Sequence, residues 1–319
     1  MKQRIITGIL LVAILAPVLI VPECKPVYEV LMVVMGVGAM YELIHMFDKE
    51  KKIPLVMRII SIVVMLILYA SFVNYIPQCK DSLVVKILGH IVINPNSGKT
   101  MAELSPMFGI FIAFIIFMSS LVIVKDFTVS DLGRLYIAVI YVSVAVASMT
   151  AMRQFGVRFI VYLAIVISLT DVFALVFGLS FGKHKMAPTI SPKKSWEGAI
   201  GGTATATVVG VLLLFFYPKY SSFFHGGVEM EFFDGLFNYA DFTTVGKVFF
   251  IIVLTLFLSA CGQIGDLIAS KLKRDFGVKD YSNIFPGHGG ILDRFDSLMF
   301  ASTVFYAFLV MEIMLFPIA

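Results

Sequence analysis

A charged segment between two apolar runs contains the residue types that phosphate and metal chemistry requires. It covers residues 270–296 and reads SKLKRDFGVKDYSNIFPGHGGILDRFD. Carboxylate oxygens without thiol partners suit a hard cation such as Mg²⁺, and lysine and arginine side chains neutralise phosphate groups. His288 has no histidine or cysteine close to it in the sequence, which argues against zinc. The segment therefore predicts metal-assisted phosphate chemistry.

The carboxylates of this region lie at the ends of predicted helices. Asp293 and Asp296 begin one helix, after a flexible turn formed by residues 286–290. Asp266 ends the sequence GQIGD at the close of the preceding helix. If that helix continues, Asp266 shares a face with the residues that follow it, which are Ser270, Lys273 and Arg274. A carboxylate beside two cations suits a metal-bound phosphate ester; the alternative is a cationic helix end that snorkels, with an acid for charge balance.

A second basic segment, residues 181–202, reads FGKHKMAPTISPKKSWEGAIGG. Its lysines, with Trp196, are typical of a site for an anionic nucleotide or a lipid headgroup. A plain cytoplasmic loop is the alternative explanation for the lysines. The sequence SPKKSWEG favours a compact turn before the next helix, and Gly198 and Gly202 predict close helix packing.

Two further carboxylates, Glu42 and Asp171, fall inside apolar runs. Charges at membrane depth are costly, so each is a functional candidate, with a satisfied packing residue as the alternative. Glu42 and His45 have the spacing of half a carboxylate-bridged di-iron site, but the second half is missing. Asp171 is interpreted as a ligand of a second cation or an anchor for Lys183.

The composition requires a membrane. Hydrophobic residues make up 59% of the 319 residues and charged residues only 14%, which excludes an ordinary soluble domain. About nine runs are long enough to cross the hydrocarbon core as helices, and their continuous apolarity argues against a barrel. The predicted spans are 4–21, 27–47, 57–77, 107–124, 134–151, 158–180, 198–217, 245–268 and 295–317. We therefore expect an all-α, polytopic transmembrane bundle.

The distribution of lysine and arginine predicts the orientation of these spans. With the N-terminus in the cytoplasm, both charged segments lie on the cytoplasmic side. The connection 218–244, on the opposite side, holds only one lysine against four acids, which agrees with an excess of basic residues in cytoplasmic connections. The connection 78–106 agrees with that excess least. We expect one membrane domain over 1–319, with 1–151 mainly scaffold and 158–319 the catalytic half.

The charged segments together resemble the phosphatidate cytidylyltransferase family, also called CDP-diacylglycerol synthase. The family signature, which we define as residues 270–296, is matched without a gap. Its matching positions are Ser270, Lys273, Arg274, Lys279, Asp280, His288, Gly289, Gly290, Asp293, Arg294 and Asp296. The sequences FGK, SPKKSWEG and QIGD follow the family's order, whereas Leu175 stands where the family commonly has tyrosine. The resemblance is convincing over residues 165–300.

The resemblance implies transfer of a cytidylyl group from CTP to phosphatidic acid, giving CDP-diacylglycerol and pyrophosphate, with Mg²⁺ required. It implies Asp266, Asp293 and Asp296 as metal ligands. The catalytic set is Asp266, Lys273, Arg274, His288, Asp293, Arg294 and Asp296. The substrate-binding set is Asp171, Lys183, Ser191, Lys193, Lys194, Ser270 and Lys279. His288 either assists proton transfer or shapes the glycine turn.

Two other functions remain open at this point. A cytidylyltransferase or CTP-dependent kinase acting on an isoprenoid lipid uses similar chemistry, although the intact signature favours the diacyl substrate. An ion-coupled transporter would use Asp171 and Asp266 as midplane ion sites. We expect CTP, phosphatidic acid and membrane lipid as partners, no nucleic acid, and the plasma membrane as location. A homodimer and a second, monovalent cation are left open.

Overall fold

The computed structural model describes residues 16–75, 82–83, 86–87, 92–94, 99–100, 105–224, 232–233, 243–284 and 289–315. Within these residues, eight helices are long and apolar enough to cross a membrane. They are α1 Lys25–Phe47, α2 Leu55–Tyr75, α3 Pro106–Ile123, α4 Val129–Phe155, α5 Val157–Phe181, α6 Trp196–Phe224, α7 Thr244–Asp275 and α8 Leu292–Leu315. The all-α membrane fold predicted from the sequence is confirmed.

The helices coincide with eight of the predicted spans. Most boundaries agree within a few residues, but α7 continues to Asp275, past the predicted end at residue 268. The first predicted span, 4–21, lies mostly outside the described residues, and its residues 16–20 are helical. This continuation places Lys273 and Arg274 on the same helix as Asp266, which is the condition under which the sequence predicted that they share a face.

Local sequence explains where several helices begin and end. The Ser105 side chain accepts a hydrogen bond from Phe108 N at the start of α3. Thr128 and Asp131 form a reciprocal capping box at the start of α4. Gly156 separates α4 from α5 with a φ of 150°, a conformation that favours glycine.

The chain divides into two compact units, one of residues 1–157 with 272–299 and the other of residues 158–271 with 300–319. In the first unit, α4 packs against α1 and α2. Tyr28 Oη donates to Met149 O at 3.1 Å, and Tyr69 Oη lies 3.2 Å from Thr150 Oγ1. Buried hydroxyl groups thus find partners across helices, as a low-dielectric interior requires.

The second unit joins α5, α6 and α7 through small and polar residues. A Cβ at Gly202 would overlap the α5 backbone at Thr170, so these two helices approach closely. Ser259 on α7 lies 2.9 Å from Thr170 and 2.7 Å from Thr203, oxygen to oxygen. Gln263 Nε2 extends this interhelical ladder by donating to Thr203 Oγ1 at 2.9 Å. The predicted packing role of Gly202 is confirmed.

The described residues also contain the 3₁₀-helix Pro22–Cys24 and two short antiparallel strand pairs. In one, β1 Val92–Asn94 pairs with β2 Lys99–Thr100. In the other, β3 Lys185–Ala187 pairs with β4 Ser191–Ser195 immediately before α6. The compact turn expected from SPKKSWEG is therefore a β-hairpin.

Candidate active site

The signature forms a buried ion pair in the first unit. Lys273 Nζ, near the end of α7, donates to Asp293 Oδ1 at 2.7 Å, and the two side chains are 11% and 2% exposed. Asp293 Oδ2 accepts from two backbone N–H groups, Tyr281 N at 2.8 Å and Gly290 N at 2.9 Å. Asp293 therefore joins α7, the connecting loop and the first turn of α8.

The two glycines that precede α8 are required by neighbouring carboxylates. Gly289 has a φ of +82°, which L side chains rarely adopt. A Cβ at Gly289 would overlap the Asp293 side chain, and a Cβ at Gly290 would overlap the Glu42 carboxylate. The double glycine of the signature thus lets the backbone pass between two acids.

Glu42 lies in α1 and is fully buried, with 0% of its surface exposed. Its Oε1 accepts from Ser282 Oγ at 2.5 Å and from Ile291 N at 2.8 Å, and its Oε2 accepts from Leu292 N at 2.9 Å. His45 is exposed and stacks on Tyr41. Glu42 therefore contacts the signature, a role that its spacing to His45 did not indicate.

Tyr281 is a second buried signature residue that the sequence did not single out. Its ring lies 5.1 Å from Lys273 Nζ, in the range of a cation–π contact. Burial raises the pKa of its phenol, and the negative charge of Asp296 raises it further. Asp296 itself is 9% exposed and accepts from Ser297 N at 2.7 Å. The environment of Tyr281 therefore strongly favours the neutral phenol.

A second ion pair lies in the other unit. Lys194 Nζ, on β4, is 2.6 Å from Asp266 Oδ2 on α7, and Ser270 Oγ donates to Asp266 Oδ1 at 3.2 Å. The lysine and aspartate side chains are 24% and 29% exposed. The structure thus brings together three predicted site residues in a position that solvent reaches.

The β3–β4 hairpin that carries Lys194 is anchored by Ser195, which is 3% exposed. Ser195 Oγ accepts from Gly198 N at 3.2 Å at the start of α6. A Cβ at Gly182 would overlap Ser195, so the end of α5 also packs against it. Ser195 was not among the predicted site residues; its signal in the sequence is the second serine of SPKKS.

The remaining predicted site residues are more exposed. Ser191 is half-buried, and Arg274 Nη1 donates to Val278 O at 3.3 Å. His288 lies outside the described residues, and its role stays a prediction. The exposed members are Asp171, Lys183, Lys193, Arg274, Lys279 and Arg294.

The carboxylates suit a hard cation in their chemistry. Asp266 and Asp293 each bind an ammonium group at 2.6–2.7 Å, so each stands where a positive charge is stabilised. Oxygen donors of this kind are the ligands that Mg²⁺ prefers. Among the described residues, however, no three His, Cys, Asp or Glu side chains form a group that could hold a metal. The magnesium ligand set of Asp266, Asp293 and Asp296 stays a prediction.

Comparison with known proteins identifies the family. The model of the cytidylyltransferase family matches residues 2–312. A phosphatidate cytidylyltransferase of Bacillus subtilis is 31% identical over 314 residues, which cover 96% of both chains. The protein of that name from Staphylococcus haemolyticus is 35% identical over 210 residues, or 66% of this chain and 71% of the relative. The chain belongs to the cytidylyltransferase family, as its signature predicted.

Proposed function

We propose that this protein transfers the cytidylyl group of CTP to phosphatidic acid in a bacterial plasma membrane. The observation that carries the proposal is the buried Lys273–Asp293 pair, which fixes the family signature at the start of α8. The names of the relatives support the substrates. The eight apolar helices found in the described part of the chain support access to a lipid that remains in the bilayer.

In the proposed reaction, a phosphate oxygen of the lipid attacks the α-phosphorus of CTP. A new P–O bond forms, the bond between the α-phosphorus and the bridging oxygen breaks, and pyrophosphate leaves with that electron pair. The lipid phosphate is already an anion, so no general base is required. The main task of the protein is to align two anions that repel each other.

The basic residues of the two charged segments supply the countercharge. Lys193 and Lys194 on β4, with Lys273 and Arg274 on α7, would neutralise the phosphates of both substrates. In the structure Lys194 and Lys273 are paired with Asp266 and Asp293, so each ammonium group lies beside a predicted metal ligand. Each ammonium released from its aspartate would contact a substrate phosphate and stabilise the charge that develops there during the transfer.

We infer that Asp266 and Asp293 hold Mg²⁺, with Asp296 in support. The bound ion would offset charge on the α-phosphate and on the departing pyrophosphate. Each of the two paired aspartates would exchange an ammonium for the metal.

The proposed orientation places the active site at the cytoplasmic surface, where CTP is present. The basic segments 181–202 and 270–296 favour that side. The acyl chains would stay in the bilayer while the phosphate meets the nucleotide at the surface.

The experiment measures pyrophosphate release by the purified protein in detergent, with Mg²⁺ and a panel of nucleotides and lipids. We expect release with CTP and phosphatidic acid, and loss of release in Asp293→Asn. Asp126→Asn is the matched control, because Asp126 is exposed in the α3–α4 connection and has a φ of 64°, which asparagine tolerates. Release with a polyprenol instead of phosphatidic acid would show that the lipid substrate is an isoprenoid. Absence of nucleotide turnover with every lipid tested would refute the proposal that the protein is an enzyme.

A further inference from the structure

We propose that Glu42 is a positioning residue for the transfer reaction, although it lies in residues 1–151, which we expected to be mainly scaffold. It acts by fixing the loop that carries Asp293, so the proposal rests on the role proposed for Asp293. Glu42 is not part of the signature, and it lies about 250 residues away in the chain from the signature residues that it contacts.

Glu42 and Asp293 hold the same loop from two sides. At the beginning of the loop, Tyr281 N donates to Asp293 and Ser282 Oγ donates to Glu42. At its end, Gly290 N donates to Asp293, and the next two N–H groups, of residues 291 and 292, donate to Glu42. The two carboxylates therefore bind neighbouring residues at each described end of the loop.

We define the clamp as the Glu42 carboxylate with Ser282 Oγ, Ile291 N and Leu292 N, which donate to it. The carboxylate is held tightly in this arrangement. Both carboxylate oxygens are engaged, and the side chain is completely buried. A Cβ at Gly290 would overlap the carboxylate, so the backbone lies directly against it. Glu42 also sits in a transmembrane helix, which is a more rigid support than a loop.

A change in this clamp is expected to affect catalysis more than binding. In Glu42→Gln, one oxygen becomes an NH₂ group, which faces a backbone or hydroxyl donor instead of accepting from it. The loop end near residues 290–292 must then move, and Asp293 moves with it. A misplacement of about 1 Å at a catalytic group costs about 100-fold in rate.

Glu29 provides a matched control on the same helix. It is 2% exposed and, among the described residues, also accepts from Ser82 Oγ, Leu83 N and Gln154 Nε2. None of these donors belongs to the signature. Glu29→Gln should therefore match the loss of stability caused by Glu42→Gln without its effect on catalysis.

The test compares steady-state kinetics of the two variants in the full-length protein. We expect Glu42→Gln to lower kcat about 100-fold while KM for CTP changes less than about twofold. Glu29→Gln should retain kcat. Equal losses of kcat in the two variants would show a general structural effect and overturn the proposal.

Ser282→Ala gives a milder perturbation of the same clamp. We expect its effect on kcat to be smaller than that of Glu42→Gln, and the double variant to lose less than the product of the two single effects, because both act on one interaction. Independent, fully multiplying effects would contradict a shared clamp.

Amide hydrogen exchange tests the clamp independently of transferase activity, and therefore independently of the proposed substrates. In Glu42→Gln the amides of residues 290–292 should exchange faster than in the unaltered protein, whereas in Glu29→Gln they should not. If the unaltered protein shows no transferase activity but these amides still exchange faster in Glu42→Gln, the proposed substrates are refuted while the clamp is supported. Unchanged exchange in Glu42→Gln would refute the clamp.

Discussion

Removal of the Lys273 ammonium should destabilise the protein by an amount that the geometry of its ion pair predicts. The pair with Asp293 is buried, with exposures of 11% and 2%. Removing one partner of a buried pair leaves an uncompensated charge, which costs about 3–5 kcal/mol. We therefore expect Lys273→Met to lower the free energy of unfolding by about 3–5 kcal/mol.

Adding Asp293→Asn to Lys273→Met should recover part of the lost free energy of unfolding. Asp293 accepts both backbone N–H groups on Oδ2 and the ammonium on Oδ1. In Lys273→Met/Asp293→Asn, the amide carbonyl can take the Oδ2 position and keep both N–H partners. Only the amide NH₂ then lacks an acceptor, which costs about 1–3 kcal/mol. The double variant should be more stable than Lys273→Met by about 2 kcal/mol.

The assay is unfolding of the purified protein in mixed micelles with increasing SDS. Lys51→Met is the control, because its partner Asp131 is equally buried at 2% but Lys51 is 38% exposed. Water replaces the ammonium there, so we expect a loss of about 0–1 kcal/mol. A double variant that is less stable than Lys273→Met would refute the charge argument, and equal losses for Lys51→Met and Lys273→Met would refute the role of burial.

Four further outcomes follow from the structure. Gly289→Ala should cost about 1–3 kcal/mol from its positive φ and should lower activity by displacing Asp293, measured by unfolding and by turnover. Gly202→Leu should destabilise the α5–α6 contact by about 1–3 kcal/mol without changing KM. Lys194→Gln should lower kcat/KM for CTP about 10- to 100-fold through loss of a charged contact, and an unchanged value would remove Lys194 from the site. Chelation of divalent cations should abolish turnover and Mg²⁺ should restore it; activity that survives chelation would refute the metal proposal.

The sequence was sufficient to predict the helices but not their partners. Hydropathy is a local property, and a run such as 27–47 has one stable structure in a bilayer, observed as α1 Lys25–Phe47. The clustering of the signature cations and acids was also visible, because their spacing is local. The pairs Lys273–Asp293 and Lys194–Asp266 depend on tertiary packing, which local spacing does not specify.

Glu42 shows most clearly why the remaining part of the site was missed. Its sequence neighbours are apolar, so it stood out as a charge at membrane depth but not as a partner of residues about 250 positions later. His45, the nearby polar residue at helical spacing, suggested half of a di-iron site and not a contact with the signature. Ser195 was missed for a related reason, since a hydroxyl that caps a helix and contacts glycines looks like any loop serine until the helices are placed.

The most direct test of the proposed function is the stoichiometry of the products. Purified protein is supplied with CTP, Mg²⁺ and phosphatidic acid, and the lipid product and pyrophosphate are quantified together by mass spectrometry and a phosphate assay. We expect CDP-diacylglycerol and pyrophosphate in equal amounts, both absent in Asp293→Asn and both present in Asp126→Asn. Pyrophosphate without CDP-diacylglycerol, or a phosphorylated lipid with CDP, would contradict cytidylyl transfer.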